Sequence, residues 1–559
     1  MATAFAMKPF VRTAALLLAT VISFAAPAAQ AKDELVIGVT QFPSSFHPGM
    51  DPLLAKSYVL AMTRRPFTAH DPDWNLVCLL CTELPTLENG HAKLTERPDG
   101  TRGIAVTYTI HPKAAWGDGT PVTSEDVVFT WEVGRHPETA IGAGAFFQRI
   151  EKIDVVDAKT FTLHFDRPAY DYNAINDLDL LPAHIERAAF ADPASYRRRT
   201  AYDADTTNAG LYYGPYLITE VQPGSHIVLE PNPTWYGEKP HFRKITVRVI
   251  ENSAALEANL LSGAIDYIPG ELGLTLDQAL ALEKRHKDRF TFIYKPGLKY
   301  EHIPLNLEHP ALADRRVRQA LLHALDRDAL TRRLFAGRQP VAHGFVSPLD
   351  PVAAPDLPTY AYDPKKAAAL LDDAGWRMGK DGVRHNAAGE RLSLELLTTI
   401  EDSTRRLVQQ VLQSQWRKAG IEVRLRNEPA RVLIGESMRR RQFTMAMYFS
   451  FSAPELSPRG FLHSSQIPTA ANNFAGQNRS GLRNAEIDAL IDRIEATLDP
   501  AARRDLWYRL QVLYAQKLPA LPLYFRTDPY VIPKWLAGIT PTGHQGPSTL
   551  WVERWHVLR

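Results

Sequence analysis

Ala115–Glu132, AWGDGTPVTSEDVVFTWE, gathers three carboxylates around a Gly-Thr-Pro turn. If Asp118, Glu125 and Asp126 hold a metal or move protons, the chain is an enzyme; if they shape the backbone, its work lies elsewhere. Trp116 ends a strand, and Gly117-Asp118-Gly119 supplies the left-handed residues that a tight turn needs. Thr123 has the character of an N-cap, with Asp126 at capping-box spacing. Glu125 and Asp126 then fall in the first helical turn, where the helix dipole favours negative charge by about 0.3–1 kcal/mol each. Val127, Val128 and Trp131 are the predicted buried stripe. A calcium loop needs oxygen ligands at alternating positions, and Gly119, Pro121 and Val122 bring no side-chain oxygen. The stretch therefore reads as a turn and a capped helix.

The strands around it are of one kind. GIAVTYTIH (Gly103–His111) and DAKTFTLHFDRP (Asp157–Pro168) alternate with period two, so this part is predicted β-rich. Further out the texture changes. ELVIGVT (Glu34–Thr40) reads as a buried first strand, followed by the Pro-rich loop QFPSSFHPGMDP. KITVRVIE, the helix ALEANLLSG capped by Asn252 or Ser253 and closed by Gly263, and the short strand AIDYIP predict a βαβ unit with a parallel pair. A second α/β region starts near Tyr300 with the strand HIPLNLEH. YDPKKAAALLDDAGW follows, with Asp363 as cap, Pro364 at the first helical position and Gly375 as stop. RLSLELLTT, the amphipathic helix STRRLVQQVLQSQWRKAG and IEVRLRN come next. LPALPLYFR is extended.

A chain of 559 residues exceeds one hydrophobic core and predicts two or three lobes. Residues 1–31 carry Lys8 and Arg12, an apolar run from Thr13 to Ala25, and Ala29-Gln30-Ala31, the pattern of a cleaved secretory signal. No cysteine follows the predicted cleavage site to take a lipid, so an unlipidated periplasmic protein is expected. The net charge of +2 matches the two cations of that segment, leaving the rest formally neutral; nucleic acid is not an expected partner. Cys78 and Cys81, in WNLVCLLCTE, are the two cysteines. Without a helix start beside them they predict a structural disulfide rather than a redox pair, worth about 2 kcal/mol for so short a loop.

Catalytic signatures such as H-E-x-x-H, G-x-S-x-G and the P-loop are missing from the sequence; neither a catalytic residue, a metal nor a cofactor is expected. FTMAMYFSFSAPELSPRGFLHS (Phe443–Ser464) runs from a strand into a long loop. Met445 and Met447 read as core. Tyr448, Phe449 and Phe451, near the strand's end where α/β sheets place ligands, are ligand-facing candidates.

These pieces resemble a known family. VTYTIHPKAAWGDGTPVTSEDVVFTWE, YYGPYLITEVQPGSHIVLEPNPTWYG, LLSGAIDYIP, DRRVRQALLHALDRDAL, YDPKKAAALLDDAGW and RNAEIDALIDRI look like the family 5 extracellular solute-binding proteins, the dipeptide and oligopeptide receptors of ABC importers. The resemblance implies an α/β fold, a two-lobed periplasmic binding protein of class C type with an additional β-rich insert domain. The implied division is residues 32–75, 205–299 and 523–559 for lobe I, 76–204 for the insert and 300–522 for lobe II. It further implies a monomer that encloses a peptide or other small solute and presents it to an inner-membrane ABC permease.

Peptide-binding members place an aspartate in the loop after the strand matching FTMAMYFSF, where it pairs with the peptide's amino group. Aligned on Ser457-Pro458 and Phe461, that position falls at Pro454 and Glu455. Either Glu455 takes its place or the ligand has no free amino terminus. Other cleft candidates carried over from the family are Ser45, Phe46, His47, Asn306, Phe474 and Tyr524. Arg526 stands either as partner of a ligand carboxylate or as an interlobe ion pair. The rival functions are a receptor of the same fold for a saccharide, an opine or a metal chelate, a thiol oxidoreductase using Cys78 and Cys81, and a peptide-binding chaperone.

Overall fold

The computed structural model of the chain describes residues 32–51, 53–139, 141–451 and 453–558; the signal-peptide expectation for residues 1–31 lies outside them. Strand Glu34–Val39 pairs in parallel with Lys244–Val249, and His226–Pro231 and Tyr216–Gln222 continue the sheet antiparallel. The helix Ser253–Ser262 is capped as its sequence predicts. The Asn252 side chain accepts the Ala254 and Ala255 N–H groups at 2.9 and 3.1 Å, and Gly263 closes the helix at φ 79°. Gly38 lets this unit sit close to the sheet, since a Cβ there would lie 2.3 Å from Ile265 Cδ1. The expected parallel partner of Lys244–Val249 is corrected, however. Ala264–Pro269 does not pair with it; Tyr267 bridges Ile37 instead. Glu34–Val39, synthesised first, occupies the slot between them.

The β-rich part is an antiparallel sheet in the order Ala92–Glu96, Arg102–Thr109, Thr160–Phe165, Ile150–Val155. The opening stretch feeds it. Gly119 turns at φ 91°, and Trp116 donates its backbone N–H to the Thr120 carbonyl at 2.8 Å. Asp118 accepts the Thr120 N–H at 2.9 Å and meets His184 Nε2 at 2.9 Å. Asp126, buried, accepts from Thr123 N–H (2.9 Å), Trp116 Nε1–H (3.2 Å) and Ala183 N–H (2.9 Å). Burial raises its pKa even so. Glu125 is exposed and meets Arg187 at 3.1 Å. All three carboxylates are engaged by protein groups. The buried stripe differs from the prediction: Val128 and Trp131 are half-buried, while Val127, Phe129, Thr130 and Val133 are buried. The cause is double packing, with Val127 in the core of the β-rich sheet and Phe129 and Val133 in that of the first sheet.

The core of the β-rich part already takes Phe67, ahead of residue 76, whereas Leu181, Tyr196 and Tyr202 pack into the first core. Cys78 and Cys81 are disulfide-bonded, with strand Leu76–Cys78 leading in rather than a helix. This local setting is that of a structural bridge.

In the second half, Ser393–Thr399 lies between Glu422–Glu428 and Met445–Ala446, all parallel. The helix Ser403–Lys418 forms the crossover and buries Val408, Leu412 and Trp416. Two long strands, Phe290–Pro304 and Ala520–Pro533, pair antiparallel from Phe290 opposite Pro533 to Pro304 opposite Ala520. Phe290 and Val531 pack with Leu256 and Ile265, beside the first sheet. At the other end Ile303, Leu521 and Leu523 enter the core of the parallel sheet. This ribbon carries the chain between the two halves. Among the described residues, no helix is long and apolar enough to cross a membrane.

Candidate functional site

The segment FTMAMYFSF serves both structures. Met445–Ala446 completes the parallel sheet, and Tyr448–Ser450 then pairs antiparallel with Tyr300–His302 on the ribbon. Met445, Ala446 and Met447 are all buried, so the single alternation expected across the segment breaks at the change of sheet. Beyond it, alternation gives the ribbon two chemically different faces.

One face carries Glu301, Phe449, Tyr524 and Arg526. Glu301 is 0% exposed; its Oε1 accepts from Arg405 Nε at 2.7 Å and its Oε2 from Arg526 Nε at 2.6 Å. Arg526 also donates to Asp402 Oδ2 at 2.7 Å, and Asp402 caps the helix Ser403–Lys418 through the Arg405 N–H. The Phe449 ring lies under both guanidiniums, 5.0 Å from Arg526 and 5.6 Å from Arg405. Burial works against the charge on Arg526, but Glu301, Tyr524 and Asp402 together outweigh it and the pKa rises. Arg526 is thus held in a structural ion-pair network. Tyr524 is buried against Phe335, with ring centroids 5.1 Å apart.

The other face opens on a cavity of about 60 Å³ lined by Tyr300, His302, Tyr448, Ser450 and Phe451, with Phe345, Phe461, Arg479 and Tyr514. His302 stacks on Tyr300 at 4.4 Å and 7°. Its Nδ1–H donates to the Tyr300 carbonyl at 2.9 Å, which leaves Nε2 as an acceptor 3.5 Å from Ser450 Oγ. Burial pushes its pKa down to about 4, so the ring is neutral at pH 7. Phe451, 65% exposed, stands at the cavity's mouth.

The remaining candidates lie elsewhere. Asn306 ties two loops together by donating to the carbonyls of Arg441 and Phe443 at 3.2 and 3.0 Å. Glu455, at φ 53°, is ion-paired with Arg503 at 2.9 Å, so its carboxylate already has a cation. Phe474 lies 5.3 Å from the Arg440 guanidinium. Ser45 and Phe46 are fixed by Asp203, which accepts the Ser45 hydroxyl at 2.8 Å and the Phe46 N–H at 2.9 Å.

His47 is fully buried. It accepts the Gly49 N–H on Nδ1 (3.2 Å) and donates from Nε2 to Tyr196 (3.1 Å). Burial, reinforced by Lys56, pushes its pKa down from 6.5 to about 3. The unfolded chain takes up this proton near pH 6.5 and the folded chain does not, so stability is intact above that pH and falls as the pH drops toward 3. The loss from this one group is about 2 kcal/mol at pH 5. In urea unfolding, His47→Gln is expected to flatten the fall in stability between pH 7 and 5; an unchanged slope would refute the assignment.

The model of the family described as bacterial extracellular solute-binding proteins, family 5 Middle, matches residues 52–473. The chain belongs to this family. The oligopeptide-binding protein AppA of Bacillus subtilis (strain 168) is 25% identical over 469 residues, 82% of this chain and 81% of AppA. The oligopeptide binding protein of Thermus thermophilus, solved with a pentapeptide, has 30% identity and a TM-score of 0.69 over 94% of this chain and 96% of its own. NikA of Brucella suis, solved with Fe(III)-EDTA, shares the fold at 22% identity, with a TM-score of 0.76 over 94% and 100% of the two chains. This family 5 solute-binding protein has the mixed α/β, two-lobed architecture of class C binding proteins, works outside the cytoplasm and delivers a solute to an ABC-type permease.

Of the cavity's walls, sequence reasoning picked out Tyr448 and Phe451. Tyr300 and His302 sit on one strand face two residues apart, a spacing that was available. Phe345 and Arg479 come from loops, where no period marks them.

Proposed function

We propose that this protein captures a peptide or peptide-like solute between two lobes that close about the Phe290–Pro304/Ala520–Pro533 ribbon. The observation that carries this reading is the ribbon itself, whose two strands reach from the first core into that of the parallel sheet; the cavity over Tyr300–His302 and Tyr448–Ser450 is the lobe II side of the site. Lobe I comprises residues 32–75, 205–299 and 523–559, lobe II residues 300–522, and the insert residues 76–204; the lobe borders at 299/300 and 522/523 then fall inside the two ribbon strands. Aromatic walls with a few hydroxyls suit an apolar side chain next to a polar backbone. The pentapeptide held by the Thermus thermophilus relative supports a peptide as the solute. The protein acts as a monomer, freed from its signal segment and unlipidated.

Native mass spectrometry of the protein recovered from the extracytoplasmic fraction, followed by release and sequencing of what it carries, tests the reading. A bound peptide is the expected result. A saccharide or a metal chelate would replace the peptide by another solute class, and a broad mixture of unfolded chains would point to a chaperone.

A further inference from the structure

The cavity holds one fixed positive charge, that of Arg479. Among the described residues this guanidinium has no acidic partner. Its Nε is buried without a hydrogen bond, and its NH1 reaches only the Met438 thioether at 3.7 Å. It lies 5.7 Å from the centre of the Tyr448 ring. The acids nearby are committed elsewhere: Glu301 to Arg405 and Arg526 on the opposite ribbon face, and Glu308 to Arg441 at 2.8 Å. His302, neutral at pH 7, offers an acceptor and no compensating charge.

The backbone that presents Arg479 is rigidly held. Asn478, 0% exposed, donates to the carbonyls of Leu462, His463 and Leu482, and Arg441 Nε donates to the Arg479 carbonyl at 3.1 Å. A partly desolvated guanidinium with free donors is costly until an anion meets it, and its planar fork matches a carboxylate. Around it the walls are apolar: Phe345, Phe451, Phe461 and Leu462.

We infer that Arg479 binds a ligand carboxylate borne next to an apolar or aromatic group, as at the C-terminal residue of a peptide. This rests on the solute-receptor reading and specifies its ligand. It also gives Arg479 the part that the sequence suggested for Arg526, whose guanidinium is already engaged.

Two probe pairs test it by titration calorimetry: 3-phenylpropionate against 3-phenylpropanamide, and the tetrapeptide Ala-Ala-Ala-Phe against its C-terminal amide. The wild-type protein is expected to prefer each acid by roughly tenfold or more. Arg479→Gln should abolish that preference with its thermal midpoint retained; were this variant not to fold, the wild-type comparison decides alone. Equal affinity for acids and amides, or a preference that survives in Arg479→Gln, overturns the inference and leaves the receptor reading intact. Arg479-dependent binding of 3-phenylpropionate without binding of either tetrapeptide supports the carboxylate site and counts against the peptide reading. Binding of none of the four probes overturns the inference.

Discussion

Glu301→Gln is expected to lower the free energy of unfolding by about 3–5 kcal/mol, the cost of leaving buried charge without its partner. Glu301, 0% exposed, meets Arg405 and Arg526 at short range, accepting from their Nε atoms at 2.7 and 2.6 Å. Glutamine keeps the shape, removes the charge and points an N–H group at a guanidinium. Asp402 then faces two cations alone, 2.7 Å from Arg526 and 3.7 Å from Arg405. Arg526→Met should cost less, because Glu301 keeps Arg405 and Asp402 keeps its helix N-terminus. Urea unfolding of the two variants gives the ranking. A loss below about 1 kcal/mol for Glu301→Gln, or the reverse order, would mean that the network is solvated in solution and does not brace the ribbon.

Asp126→Ala is expected to cost about 3 kcal/mol, since it orphans three buried or part-buried donors at once: the indole of Trp116 and the backbone N–H groups of Thr123 and Ala183. The Ala183 bond joins the opening stretch to a helix 57 residues away, so the damage should reach the seam between the β-rich sheet and the first core. Asp126→Asn should fall between wild type and alanine, because one oxygen still accepts. Solute affinity of the folded fraction should be unchanged. A loss of affinity at unchanged stability would reinstate a functional role for the carboxylates of the opening stretch.

What the sequence made legible was local. The caps at Asn252, Asp363 and Thr123, the stops at Gly263 and Gly375, and the Cys78–Cys81 bridge each depend on neighbours within a few residues. The ribbon strands run beyond HIPLNLEH and LPALPLYFR, through KPG at Lys295–Gly297 and Asp528-Pro529, residues that favour turns and mask a continuous strand. In the structure the pairing runs on past them, with register shifts between Pro296 and Tyr300 and between Glu301 and His302. The partner of Lys244–Val249 was missed because a helix crossover fixes direction and leaves the neighbouring slot open. The site was legible in part: their place near the strand's end pointed to Tyr448 and Phe451, but alternation does not show that a strand changes sheets at Met447. Ser45, Phe46 and His47, carried over from the family, are held by Asp203 and Tyr196, which lie some 150 positions away in the chain, beyond any local pattern. Arg479 carries no sequence mark, as its significance is the lack of an acid in three dimensions.

The central claim is that solute is captured by closure about the ribbon. Small-angle X-ray scattering of the ligand-stripped protein, with and without the solute recovered from it, tests this directly. The account predicts a smaller radius of gyration on saturation, reversed when the solute is dialysed away. An unchanged radius at proven saturation would contradict it.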